Sequence, residues 1–411
     1  MKLKPWFALP EPQQCARVVI IGGGLAGLAS AYALVRAGID VCMLEAEATL
    51  ASGASGNPAG LLMPQLSAGA SIETVFHRRG VTFTRQVLKE LDAQRFSVQG
   101  QLNGLLYLAD QPRLAKRFET LASQADRVCK PVSATEASEL AGSDITVSGL
   151  YLAEAGWISI PSLCEALFAA CQNKLQIFTN TRVIELSRRD THWQLRTAAR
   201  ETFSAGAVIV ANAGAARELK LLADVPIQIV PGQLNRIDCG AAAQTNLPLC
   251  GAAYCLPMAE DQAVLGASFR AAGDTAIKRD DYQHNLAQLA RFAPALAKAW
   301  QSCRWQGRVA LRATSPDHLP IVGPFIDQAT FKSDYARLQH GDQRYPYPQA
   351  AYLPGLYMNL AHGARGLSSC LLAGKLLADS ISGAALTLDA KLYQAVHPSR
   401  FWLKQLRKGT H

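Results

Sequence analysis

The sequence predicts a parallel α/β unit interleaved with an α+β unit built on an antiparallel sheet. Three observations predict it. The run "RVVIIGGGLAGLASAYALVRAGIDVCMLEAE", residues 17–47, reads as strand, glycine turn, helix and second strand. A later run, "GAVIVANAGAA" at 206–216, supplies another apolar strand that closes in small residues. The segments 84–150 and 220–310 hold short strand-like runs such as "GLLYLA" and "AVLGASF", expected to roof the first unit with an antiparallel sheet.

At 411 residues, 49% apolar and 18% charged, the chain falls in the ordinary globular class and is too long for one small core. The expected division is a linker-like segment at 1–14, a discontinuous nucleotide-binding domain at 15–83, 151–219 and 311–390, a substrate domain at 84–150 and 220–310, and a basic segment at 391–411. Ten cysteines contain no Cys-x-x-Cys pair, and no His or Cys cluster has metal spacing. They read as thiols of a reducing compartment, with no metal site. Residues 18–35 carry no charge, yet Gly22, Gly23 and Gly24 would break a spanning helix. The first fourteen residues hold only Lys2 and Lys4 as cations, among Pro5, Pro10 and Pro12, which is a poor targeting signal. A cytoplasmic protein with no membrane partner is expected.

Within the first unit, Gly22 permits the tight turn, Gly24 lets the backbone approach a pyrophosphate, and Gly27 lets helix and strand pack closely. The amides that open the helix, at Leu25 and Ala26, then face the anion. Glu45, followed by Ala46, stands some twenty residues on, at the distance of a ribose-binding acid. Together these features predict a bound dinucleotide. No second G-x-G-x-x-G exists for a nicotinamide cofactor, so the electrons must come from the substrate, and FAD is favoured. Ala211, Ala213 and Gly214 close the strand at 206–216, which resembles the second fingerprint of flavoproteins. "TRVIELSRRDTHWQLRT" at 181–197 reads as two alternating strands with a turn at residues 188–191. In similar flavoproteins the start of such a hairpin passes the adenine, which makes Val183 the candidate contact.

After Glu45 comes "ASGASGNPAGLLMPQLSAG", residues 51–69, a poor helix whose Pro58 and Pro64 favour a fixed path. Its small residues suit a backbone lying against a flat ring and phosphates. The candidates are Ser52, Ala54, Ser55, Gly56, Asn57, Gly60 and Leu61. With "AGWISIPSLCEAL", "RATSPDHLPIVGP" and "LAHGARGLSSCLLAGKLLADSISG", this segment resembles the D-amino-acid-oxidase and glycine-oxidase family of flavoenzymes. Within it the chain resembles the FAD-dependent half of MnmC-type bifunctional tRNA modification enzymes. The resemblance runs from about residue 15 to 409, and ahead of it "KPWFALPEP", residues 4–12, is similar to the linker between their two halves.

The resemblance implies a Rossmann-like FAD-binding domain interleaved with a substrate domain. It also implies a reaction, oxidative removal of the carboxymethyl group from 5-carboxymethylaminomethyl(-2-thio)uridine at the tRNA wobble position, releasing glyoxylate. The partner would be tRNA, with the following methylation left to a separate methyltransferase. Gly363, Arg365, Gly366 and Leu367 would face the flavin from a glycine turn that opens an amphipathic helix, Arg365 being otherwise a structural cation. His318 and His362 lie in these motifs as hydrogen-bonding residues or bases.

"GRVALRATSPDHLPIVGP", 307–324, alternates Val309 and Leu311 as a buried strand ended by Pro316, which leaves a charge at Arg312 to explain. Either the strand is an edge or the arginine has a partner. The family implies that Arg312 clamps the substrate carboxylate; the alternative is an ion pair with Asp317. The formal charge of +9 is concentrated at the C-terminus, where 391–411 hold Lys391, Arg400, Lys404, Arg407 and Lys408 and no acid. A helix after Pro398 would place Arg400, Lys404, Arg407 and Lys408 on one face, either solvated or an RNA-contacting stripe. The polar insertion at 331–355 would meet RNA or cap the fold. Two other functions compete: an oxidase of a free small amino acid, and a tRNA-binding flavoprotein without turnover.

Overall fold

A computed structural model describes residues 3–12, 17–67, 69, 71–123, 129–171, 173–240, 244–259, 261–270, 273–342 and 344–408. The glycine-rich run at the start of the chain feeds the middle of a six-stranded sheet. From edge to edge its order is Ile321–Ile326, Tyr352–Leu360, Ala207–Val210, Arg17–Ile21, Asp40–Leu44 and Leu175–Phe178. All neighbours are parallel except the first pair. Being covered on both faces, the central strands are continuous apolar runs, with Val18, Ile20, Val208 and Ile209 fully buried. Helices Leu25–Arg36 and Cys370–Ser382 pack against each other, and the three-stranded sheet of Val183–Arg189, His192–Thr197 and Thr202–Ala205 contributes Trp193 and Leu195 to the same core.

The second large sheet has eight strands in the order Arg304–Thr314, Gln228–Asp238, Gln262–Gly266, Tyr254–Pro257, Leu249–Cys250, Leu105–Leu108, Gly149–Leu152 and Lys130–Val132. It is antiparallel apart from the Leu249–Cys250 pairing with Leu105–Leu108. Helices Arg279–Leu289 and Pro294–Trp300 bury Tyr282, Leu286, Leu289 and Trp300 against it. This is the mixed α/β and α+β architecture expected from the sequence. The expected domain boundaries at 83/84 and 310/311 fall inside helix Ile72–Ala93 and strand Arg304–Thr314.

Three local expectations are corrected, and the 331–355 insertion takes the capping alternative. Strand Arg304–Thr314 lies at the sheet edge in the opposite phase: Leu311 is 44% exposed and Arg312 only 8%. An edge strand with a cavity on one side can bury its polar face and expose its apolar one. Helix Cys370–Ser382 is not amphipathic, because neighbouring elements cover it all round and leave only Lys375 and Ser382 unburied. The segment read as a linker is docked, with Trp6 and Phe7 of the turn Pro5–Phe7 buried. The insertion after Gln328 caps the fold: Phe331, Tyr335, Leu338 and Tyr347 are buried, with Tyr335 and Tyr347 packed on Trp6. The uncharged stretch 18–35 is a strand, a turn and most of a twelve-residue helix, and no helix among the described residues is long and apolar enough to cross a membrane.

Candidate functional site

The site grows from the end of the first strand. Gly22 turns the chain at φ +108°, and a side chain there would strike the backbone of Ala211 and Asn212. Gly27 sits beneath, its Cα face against the Gly22 carbonyl, so the helix can approach the strand only because that residue lacks a Cβ. Glu45 braces the turn: its carboxylate accepts from Gly23 N at 2.5 Å and from Glu47 N at 2.8 Å. The Ser55 hydroxyl accepts from Leu25 N at 2.9 Å, so the loop after Ala51 folds back over the helix start.

That loop follows a fixed path. Arg308 reaches from the edge strand and donates to Ser52 O at 2.9 Å, Gly53 O at 2.7 Å and Asn57 Oδ1 at 3.2 Å. The sequence reading missed Arg308, although it shares a strand face with Arg312 and the same alternation would have singled it out.

These elements enclose a cavity of about 1170 Å³. Of the predicted residues, Gly22, Gly24, Leu25, Ala26, Glu45, Ala46, Ser52, Ala54, Ser55, Asn57, Gly60, Leu61, Val183, Ala211, Ala213, Gly214, Gly363, Arg365, Gly366, Leu367 and Arg312 all line it. Gly27 and Gly56 do not: Gly27 serves helix packing, and Gly56 backs onto Arg308. The volume exceeds that of an ordinary small-ligand pocket and accommodates an extended dinucleotide together with a substrate group.

Arg312 sits further along the same edge strand, opposite Val230, with its guanidinium 5.0 Å from the Phe269 ring centroid and against the Tyr254 hydroxyl. Burial raises the Tyr254 pKa, and the arginine charge opposes that rise. Nη1 of Arg312 is buried without any hydrogen-bond partner. The alternative ion pair with Asp317 is not made, because Asp317 is bound by Arg400 through contacts of 2.8 and 2.9 Å. Nη1 packs against Gly232, which lacks a side chain there, and Arg312 lines the cavity, so the charge has no carboxylate partner among the described residues and favours a ligand that brings one.

His362 lines the cavity but is held at both ring nitrogens, by Ser369 Oγ and Asn359 Oδ1, each at 2.8 Å. Burial pushes its pKa down to about 4, which leaves it neutral and structural. His318 is exposed in the turn after Ser315. Arg365 pairs with Glu73 and donates to Gln65 Oε1 at 2.6 Å. The basic C-terminal stripe is only partly a surface feature. Arg400 is directed inward onto Asp317, Arg407 lies over the Trp6 ring, and Lys404 and Lys408 are exposed. None of the four lines the cavity. Among the described residues no group of acids, histidines and cysteines is placed to hold a metal ion.

Comparison with known proteins accords with this geometry. Residues 17–380 match the DAO family, described as FAD dependent oxidoreductase. The chain is 35% identical over 98% of its length to the tRNA 5-methylaminomethyl-2-thiouridine biosynthesis bifunctional protein MnmC of Pseudomonas putida F1, and 35% identical over 99% to that of Pseudomonas aeruginosa PAO1. It spans 62% of the length of each of these relatives. Among solved structures, glycine oxidase from Geobacillus kaustophilus superposes with a TM-score of 0.77 at 21% identity, covering 93% of this chain and 99% of that one. Iminodiacetate oxidase from Chelativorans sp. BNC1 gives 0.74 at 20% identity, covering 92% and 98%. The chain belongs to the DAO family of FAD-dependent oxidoreductases.

Proposed function

We propose that this chain oxidatively removes the carboxymethyl group from 5-carboxymethylaminomethyl(-2-thio)uridine at the wobble position of tRNA, giving the aminomethyl nucleoside and glyoxylate. The observation that carries the reading is Arg312, a largely buried guanidinium that lines the same cavity as the phosphate turn and has no carboxylate partner among the described residues. Its fork suits the carboxylate of an N-substituted glycine. The similarity to MnmC proteins across nearly the whole chain supports a glycine carried on a tRNA uridine rather than a free one.

The fit of FAD rests on the turn at Gly22 and the helix start beyond it, where Gly24 and Ala26 line the cavity on the pyrophosphate side and the Leu25 amide is engaged by Ser55 Oγ. Glu45, Ala46 and Val183 would meet the adenosine, and residues 52–61 with Gly363, Gly366 and Leu367 the ring system. When bound, FAD supplies the acceptor for two electrons from the glycyl Cα–H bond. Arg312 fixes the carboxylate and thereby selects which α hydrogen is presented. The residues lining the cavity around Arg312 offer no free base, since His362 is neutral and engaged on both sides. The amine therefore has to lose its proton on entry. Loss of a hydride from Cα with the lone pair of nitrogen closing a C=N bond leaves an iminium, and water added to it releases glyoxylate and the primary amine.

Anaerobic mixing of the yellow protein with wobble-modified tRNA tests this. Bleaching of the visible flavin band with one glyoxylate released per flavin is expected. Bleaching by free glycine or sarcosine and not by the tRNA would assign the cavity to a free amino acid.

A further inference from the structure

The cavity does not end at Arg312. It opens into a second groove of about 640 Å³ that shares Tyr107, Arg117, Gly251, Ala252, Ala267 and Phe269 with it. Phe269 is the most exposed large apolar side chain among the described residues, at 68%. Its ring neighbours the Arg312 guanidinium, so the aromatic surface stands at the border between cavity and groove.

The groove wall is basic. Arg113 and Arg117 lie one turn apart on helix Pro112–Ser123 and both line it, and neither makes an ion pair or hydrogen bond among the described residues. No acidic side chain lines the groove, and Asp110 nearby is turned away onto the Ala252 amide and Arg291. The acids of the main cavity, Glu45, Glu47 and Glu218, gather instead beside Arg182 and Val183. Free amino acids need neither an exposed ring nor two unpaired arginines outside the carboxylate clamp. A polyanionic strand with flat bases needs both.

We propose that this groove is the track for the RNA strand flanking the target uridine, with Phe269 stacking a neighbouring base and Arg113 and Arg117 holding its phosphates. The inference rests on the tRNA reading above and deepens it. It moves the RNA contact from the C-terminal helix, which lines neither cavity nor groove, to the mouth of the site.

The test uses FAD-loaded protein and wobble-modified tRNA, with affinity measured across a series of KCl concentrations and flavin content as the check on folding. In R113A/R117A, affinity should fall at least about tenfold and the salt slope flatten by about 1.4, roughly 0.7 for each lost single-strand contact. F269A should weaken binding about tenfold with the slope kept, and F269W should restore it. K404A/K408A, on the C-terminal helix, should bind as the parent does. An unchanged slope in R113A/R117A, or a loss confined to K404A/K408A, overturns the groove. Parent protein reduced by glycine or sarcosine but not by the tRNA instead overturns the underlying function, so the two failures are distinguishable.

Discussion

Replacing Arg312 with methionine should move stability and activity in opposite directions. The side chain is 8% exposed, and its Nη1 finds no acceptor in the folded protein. Removing one unsatisfied buried donor relieves about 1–3 kcal/mol, less the roughly 0.5–1.5 kcal/mol lost with the contact to the Tyr254 hydroxyl. For a chain of 411 residues the net is a rise of at most about 2 °C in melting temperature. Methionine is unbranched and can fill the stem volume beside Phe269 without a new cavity. Turnover should respond the other way. A carboxylate drawn into the cavity without its charged partner loses about 3–5 kcal/mol, a factor of roughly 150 to 4000 in flavin reduction at limiting substrate. Thermal melting followed by flavin fluorescence and anaerobic stopped-flow reduction read the two effects on one preparation. A lower melting temperature would refute the account of Nη1 as a costly unsatisfied donor, and undiminished reduction would refute the clamp.

Arg308→Ala should release the 52–57 loop, weakening FAD retention by about tenfold or more through loss of three charge-assisted bonds, read by flavin loss on dilution and gel filtration. Asp317→Asn should leave Arg400 buried without its bidentate acceptor and cost about 1–3 kcal/mol in denaturant unfolding, a range lowered because Asp317 is 37% exposed. Burial raises the Asp317 pKa, but bonds to Arg400 and Ser315 outweigh it and hold the carboxyl low, so its contribution is present above about pH 4 and lost below. The N variant should therefore lack that acid loss. His77 and His397 are buried, and burial, aided by nearby arginine charge, lowers each to about 3. Depressed in the folded state, each should remove about 1.4 kcal/mol of stability per pH unit as pH falls from 6.5 towards 3. Stability that stays flat between pH 6 and 4.5 would refute their burial as neutral rings.

Much of this architecture is legible locally. The strand, glycine turn and helix at 17–36 specify themselves, because phosphate turns need small residues at fixed spacing and the apolar runs on either side have different periods. The hairpin of Val183–Arg189 and His192–Thr197 and the strand at Ala207–Val210 likewise follow from alternation and turn residues. What local pattern does not contain is what covers a face. Leu311 and Arg312 exchange the positions their hydropathy suggests, because a cavity rather than a core lies beside the edge strand. Arg400 looks like one of four cations on a helix face until Asp317, far away in sequence, claims it. Phe269 and Arg117 carry no motif, and only the meeting of separate segments at the groove gives them a role.

The buried N-terminal turn has a mechanical consequence. Trp6 and Phe7 are inserted among Tyr335, Tyr347 and His397, the Ala350 amide donates to Pro5 O at 3.0 Å, and Arg407 closes over the indole. Any polypeptide joined ahead of this turn would therefore be anchored to the body at one point, the docked Pro5–Phe7 turn. A second catalytic unit attached there would be held within a radius of that point set by its own linker.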